Sequence, residues 1–136
     1  MNYDPIFDKW HEECGVFGVF DRTVDVARYV YWGLFALQHR GQESAGIAIT
    51  DGNEVALKKG MGLLTEAIKE LPTLKSHMGT GHVRYSTTGS NNPRNIQPLV
   101  IHYQGGQIAV AHNGNLTNAL GIRRQLEADG SIFQTT

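Results

Sequence analysis

The chain has 136 residues, 40% apolar and 18% charged with 16 glycines, a composition that describes one globular domain and excludes fibrous, low-complexity and membrane-spanning classes. Its 12 Lys and Arg nearly balance 13 Asp and Glu without forming a stripe, so neither charge nor pattern points to nucleic acid. One cysteine cannot form an internal disulfide, and no run is long enough to cross a membrane, which together predict a cytoplasmic protein whose thiol stays reduced.

Residues 1–13 carry Asp4, Asp8, Glu12 and Glu13 against Lys9 and have neither the basic start nor the apolar centre of a secretory signal. CGVFGVF (14–20) is too short and too evenly apolar for an amphipathic helix and predicts a strand covered on both faces. VARYVYWGLFALQHR (26–40) is apolar nearly all round, which predicts a helix buried between layers. SAGIAIT, Asp51-Gly52-Asn53 and EVALKK form a hairpin signal, because Asp-Gly accepts the positive φ of a tight turn. A short helix near TEAIKEL, a strand GTGHVRY and the turn-rich loop STTGSNNPRNIQP follow. LVIHYQ and QIAVAHNG read as a second hairpin around Gly105-Gly106. LTNALGIRRQLEAD has helical spacing with Asn115 as its N-cap, and its Arg123-Arg124 pair reads as a solvated face. GSIFQTT begins like a further strand and stops at Thr136, so the reading is a domain truncated at its C-terminus. Hairpins interspersed with buried helices imply an α+β domain.

Cys14, at the start of the first strand, poses the chemical question. A thiol is a small apolar side chain that fills cores, and that reading suffices for a lone cysteine. As a nucleophile it must be a thiolate, and with an unperturbed pKa of about 8.5 it needs a base. A cysteine at a chain's N-terminus has one in its own α-amino group, with a pKa of about 7.7 to 8.0. Cys14 gains that amine only if residues 1–13 are removed.

Four other segments place polar groups at the ends of apolar elements: ALQHRGQESAG (36–46), GHVRYSTTG (81–89), NIQP (95–98) and AHNGNL (111–116). In HNG, the Asn113 amide and the unobstructed Gly114 N–H could face a developing oxyanion, or they could simply form a turn. Arg84 could clamp a substrate carboxylate or pair with a protein acid. His82 and His112 flank this region without a ligand cluster, so they read as hydrogen-bonded histidines and no metal site is assigned.

In this order, CGVFGVF, ALQHRGQESAGIA, GHVRYSTTG, NIQPL, AHNGNLTNA and GSIFQTT closely resemble the glutaminase domain of the amidophosphoribosyltransferases, from Cys14 essentially to Thr136. The resemblance implies the four-layer αββα sandwich of N-terminal-nucleophile hydrolases. It implies that residues 1–13 are a propeptide and that 14–136 are the first part of a class II glutaminase domain. Cys14 would then attack the glutamine side-chain amide, Asn113 and Gly114 would form the oxyanion hole, and Arg84 would hold the α-carboxylate. Thr87 would line the same pocket, and Arg40 would support the nucleophile and close over the site. The ammonia released would pass to a phosphoribosyltransferase domain and displace pyrophosphate from phosphoribosyl pyrophosphate, giving phosphoribosylamine for purine synthesis.

The same resemblance implies glutamine and phosphoribosyl pyrophosphate as ligands, a homo-oligomer at full length, and no cofactor in this segment. Mg²⁺ and, in some members, a 4Fe–4S cluster would belong to the part not present here, as would an aspartate that grips the glutamine α-amino group. Two alternatives are another class II amidotransferase, against which HRGQESAG and HVRYSTTG argue, and a fragment that binds without turnover.

Overall fold

The structure is a computed structural model that describes residues 14–85, 92–114 and 116–133. Its elements are β1 (Gly15–Phe20), α1 (Val26–Leu37), β2 (Ser44–Thr50), β3 (Val55–Met61), α2 (Leu64–Ala67), β4 (Met78–Arg84), β5 (Leu99–Tyr103), β6 (Gly106–Val110) and α3 (Ala119–Ala128), with short 3₁₀ turns at Gln38–Arg40 and Pro93–Asn95. The architecture is α+β, and its strands form two antiparallel sheets: β1-β4-β2-β3, and the hairpin β5-β6.

Alternation of side chains along β4 divides the larger sheet into two chemical faces. Gly79, Gly81 and Val83 point to α1, whose Val26, Val30 and Leu34 are fully buried with Ile47 and Ile49 of β2. The close approach requires a glycine at position 81, where a Cβ would lie 2.6 Å from Leu34 Cδ1. Thr80, His82 and Arg84 point the other way, toward the layer that carries the hairpin. Gly46 of β2 lies on that face under the Gln97 carbonyl and Pro98, and a side chain there would collide with both. Gln107 of β6 ties the two sheets together, its Oε1 accepting the Val55 N–H at 2.6 Å. The Lys59 ammonium donates to the Ile96 carbonyl at 2.8 Å, and burial lowers its pKa.

Both hairpins form as the turn residues predict, with φ of 98° at Gly52 and 128° at Gly106. β1 differs from the expected strand covered on both faces: it forms one edge of the sheet, and Val16 and Phe20 on one face are exposed. α1 is not sandwiched between layers either, since Tyr29, Trp32 and Phe35 on its outer face are exposed and its apolar content exceeds what one sheet can cover. Its 3.6-residue period puts only one stripe on the core. α3 begins at Ala119, with Asn118 at the N-cap position and no capping side-chain bond, whereas Asn115 lies outside the described residues. Residues 131–133 form no strand. The predicted propeptide 1–13 also lies outside the described residues.

Candidate active site

Topology gathers the predicted residues at one end of the larger sheet. β1 runs away from Cys14, and α1 returns along it so that Leu37 packs over Gly15 and the following 3₁₀ turn brings Arg40 back beside Cys14. The Arg40 Nε donates to the Cys14 carbonyl at 3.4 Å. β4 is antiparallel to β1 and therefore ends where β1 begins. Tyr85, just past that end, donates its N–H to the Cys14 Sγ at 3.4 Å, while the thiol faces the Tyr85 carbonyl at 3.5 Å. From 99 residues away in sequence, the Asn113 Nδ2 donates to the same Cys14 carbonyl at 2.5 Å. Cys14 is partly exposed.

The loop carrying Asn113 is fixed from below. Gly46 leaves room for the 97–98 segment against the sheet, and the Gln97 side chain accepts the His112 N–H at 2.7 Å. NIQP thus acts through Gln97 as a strut for the residue next to Asn113, a role its spacing did not reveal. Gly114 follows on the exposed side, where nothing lies within 4 Å of the position a Cβ would take.

Arg84 closes the strand beneath Cys14 with its side chain only 13% exposed, and Glu43 faces it at 4.0 Å. Sequence reasoning missed Glu43, although it stands inside the HRGQES segment. Thr87 lies outside the described residues. His82, two residues before Arg84 on the same face, is 1% exposed, and neither ring nitrogen makes a hydrogen bond of good geometry among the described residues. Burial pushes its pKa down to about 4. The His112 backbone lies close enough to favour the charged ring a little, and the charges of His112 and Arg84 oppose it.

This buried neutral ring makes stability depend on pH. An unfolded histidine, with a pKa of about 6.5, binds its proton before the folded one does, so stability is complete above pH 6.5 and falls as pH drops toward 4. The loss approaches about 3 kcal/mol at the acid end. Thermal unfolding of wild type and His82→Gln between pH 7 and 4 checks this, and the substitution should flatten that part of the curve.

A concavity of about 640 Å³ lies at the opposite end of the sheet, lined by Phe20, Ala48, Thr50, Val55, Met78 and Ile108. It is an apolar space between layers and holds none of the candidate groups. No group of three His, Cys, Asp or Glu side chains able to hold a metal occurs among the described residues, and no described helix is long and apolar enough to span a membrane.

Residues 35–130 match the family of class-II glutamine amidotransferases. The chain is 49% identical to an amidophosphoribosyltransferase of Bacillus subtilis over 129 residues, covering 93% of this chain and 27% of the relative. It is 45% identical to one from Methanothermobacter thermautotrophicus, covering 92% and 27%. Among solved structures, it is similar to a glutamine phosphoribosylpyrophosphate amidotransferase from B. subtilis complexed with ADP and GMP, with a TM-score of 0.81 at 47% identity, covering 89% of this chain and 26% of that one. The chain thus spans about a quarter of the length of the curated relatives it matches.

Proposed function

Because the chain belongs to the class-II glutamine amidotransferases, we propose that it is the glutamine-hydrolysing part of an amidophosphoribosyltransferase, with Cys14 as its nucleophile. The observation that carries this reading is the convergence of Asn113, Arg40 and the Tyr85 backbone on Cys14 from three separate elements. An ordinary core cysteine needs no such set of donors.

In the proposed reaction, residues 1–13 are first removed. The freed α-amine takes the thiol proton, and the thiolate attacks the side-chain carbonyl carbon of glutamine. Negative charge then develops on the former carbonyl oxygen, and the Asn113 Nδ2 and Gly114 N–H stabilise it there. The tetrahedral adduct collapses as the α-ammonium protonates the departing nitrogen, releasing ammonia and leaving a γ-glutamyl thioester. Water, deprotonated by the same amine, cleaves the thioester to glutamate and restores the thiol. Arg84 holds the substrate α-carboxylate, Thr87 lines the pocket, and Arg40 steadies residue 14 through its backbone.

The ammonia would displace pyrophosphate from phosphoribosyl pyrophosphate in a domain within the length the relatives have beyond this match. Mg²⁺ would act there, in a cytoplasmic homo-oligomer. The residues here do not fit an iron–sulfur cluster, since four thiolates are needed and this sequence has one cysteine. No step above passes through a metal.

Intact mass and N-terminal sequencing of the protein from its own source test the mechanism. A chain starting at Cys14 is expected. A mature, active chain that retains Met1 would leave the thiol without its amine and overturn the terminal-amine mechanism.

A further inference from the structure

We infer that Glu43 is a positioning residue for Arg84, holding the guanidinium where a substrate carboxylate would meet it; this rests on the glutaminase reading above. The segment 41–43 is built against the end of β4. The Glu43 N–H donates to the Arg84 carbonyl at 3.0 Å, and the Gly62 N–H donates to the Glu43 carbonyl at 2.7 Å. At Gly41 a Cβ would lie 2.7 Å from the Arg84 and Val83 carbonyl carbons, so only glycine lets this turn come so close.

The side chains follow the backbone. Glu43 and Arg84 are each 13% exposed, and the 4.0 Å between Glu43 Oε1 and Arg84 Nε is a charge contact, longer than a hydrogen bond. Glu43 Oε2 is fully buried without a hydrogen-bond partner among the described residues. Keeping a carboxylate in this state costs desolvation energy, and a structural role would be served better by a tight two-point pair. The looser arrangement holds the arginine by charge without taking up its donors in a hydrogen bond to Glu43. Arginine has about 2 kcal/mol of rotamer entropy to lose when a ligand fixes it, and a guanidinium already held in place loses less on binding.

The opposing possibility is that Glu43 merely competes with the substrate carboxylate for Arg84, in which case removing its charge would tighten binding. Steady-state kinetics of the intact enzyme decide between the two. Glu43→Gln keeps both backbone bonds and nearly the same volume. It should raise the KM for glutamine about tenfold, with kcat and ammonia-dependent synthesis little changed. Glu43→Asp, which keeps the charge with a shorter reach, should recover part of the loss and serves with the same readouts if the glutamine variant does not fold.

An unchanged or lower KM in Glu43→Gln overturns the inference. So does an equal fall in glutamine- and ammonia-dependent rates with a lower melting temperature, which would mark a purely structural role. A wild-type enzyme that hydrolyses no glutamine overturns the glutaminase reading as well, whereas wild-type turnover with an unmoved KM overturns the role of Glu43 alone.

Discussion

Cys14→Ala in the intact enzyme is expected to abolish glutamine-dependent synthesis, a loss of more than about ten-thousandfold, while ammonia-dependent synthesis survives. The magnitude follows from the chemistry, because without a sulfur no thioester can form and the remaining donors stabilise an oxyanion that never appears. Survival of the ammonia reaction is expected because it is proposed for a domain beyond this chain and the fold here should tolerate the change. Cys14 is partly exposed at the start of an edge strand, and alanine keeps the backbone carbonyl that Arg40 and Asn113 contact. A fold that depended on the thiol for packing would lose both activities together. Parallel assays with glutamine and with an ammonium salt separate these cases, and persisting glutamine hydrolysis in the variant would remove Cys14 from the mechanism.

How far sequence reaches into this molecule depends on whether a signal is local. The Asp51-Gly52 and Gly105-Gly106 turns are local, since positive φ is a property of the glycine itself, and both hairpins appear where they were expected. The exposure of α1 is not local. Tyr29, Trp32 and Phe35 are as apolar as Val30 and Leu34, and only the sheet beneath decides which of them it covers. β1 misled for the same reason: both its faces are apolar, and only the tertiary fold decides that Val16 and Phe20 stay exposed.

The candidate site divides similarly. Cys14, Arg40, Arg84 and Asn113 stand in segments whose polar ends mark them, and the fold brings all four to one end of the larger sheet. Glu43 and Gln97 act through other residues, one beside Arg84 and the other beneath His112, and no spacing rule connects positions 43 with 84 or 97 with 112. For His82 the sequence shows only the residue type, and its burial on β4 close to the His112 backbone is set by the tertiary fold.

Asn113→Ala should lower kcat for glutamine hydrolysis by roughly a hundredfold to a thousandfold, with KM nearly unchanged. The split between the two constants follows from where the amide points. Its nitrogen donates to the carbonyl of residue 14 at 2.5 Å, next to the proposed nucleophile, while the proposed role of Arg84 is to hold the substrate's α-carboxylate. A donor in that place gains most when the substrate carbonyl becomes an oxyanion, and an interaction made only in the transition state appears in kcat. Asn113→Asp sharpens the test, because a carboxylate of almost the same shape would repel the developing charge and should be slower than alanine. If either variant instead raised KM at constant kcat, Asn113 would belong to ground-state binding, and Gly114 would be left to stabilise the oxyanion through its backbone alone.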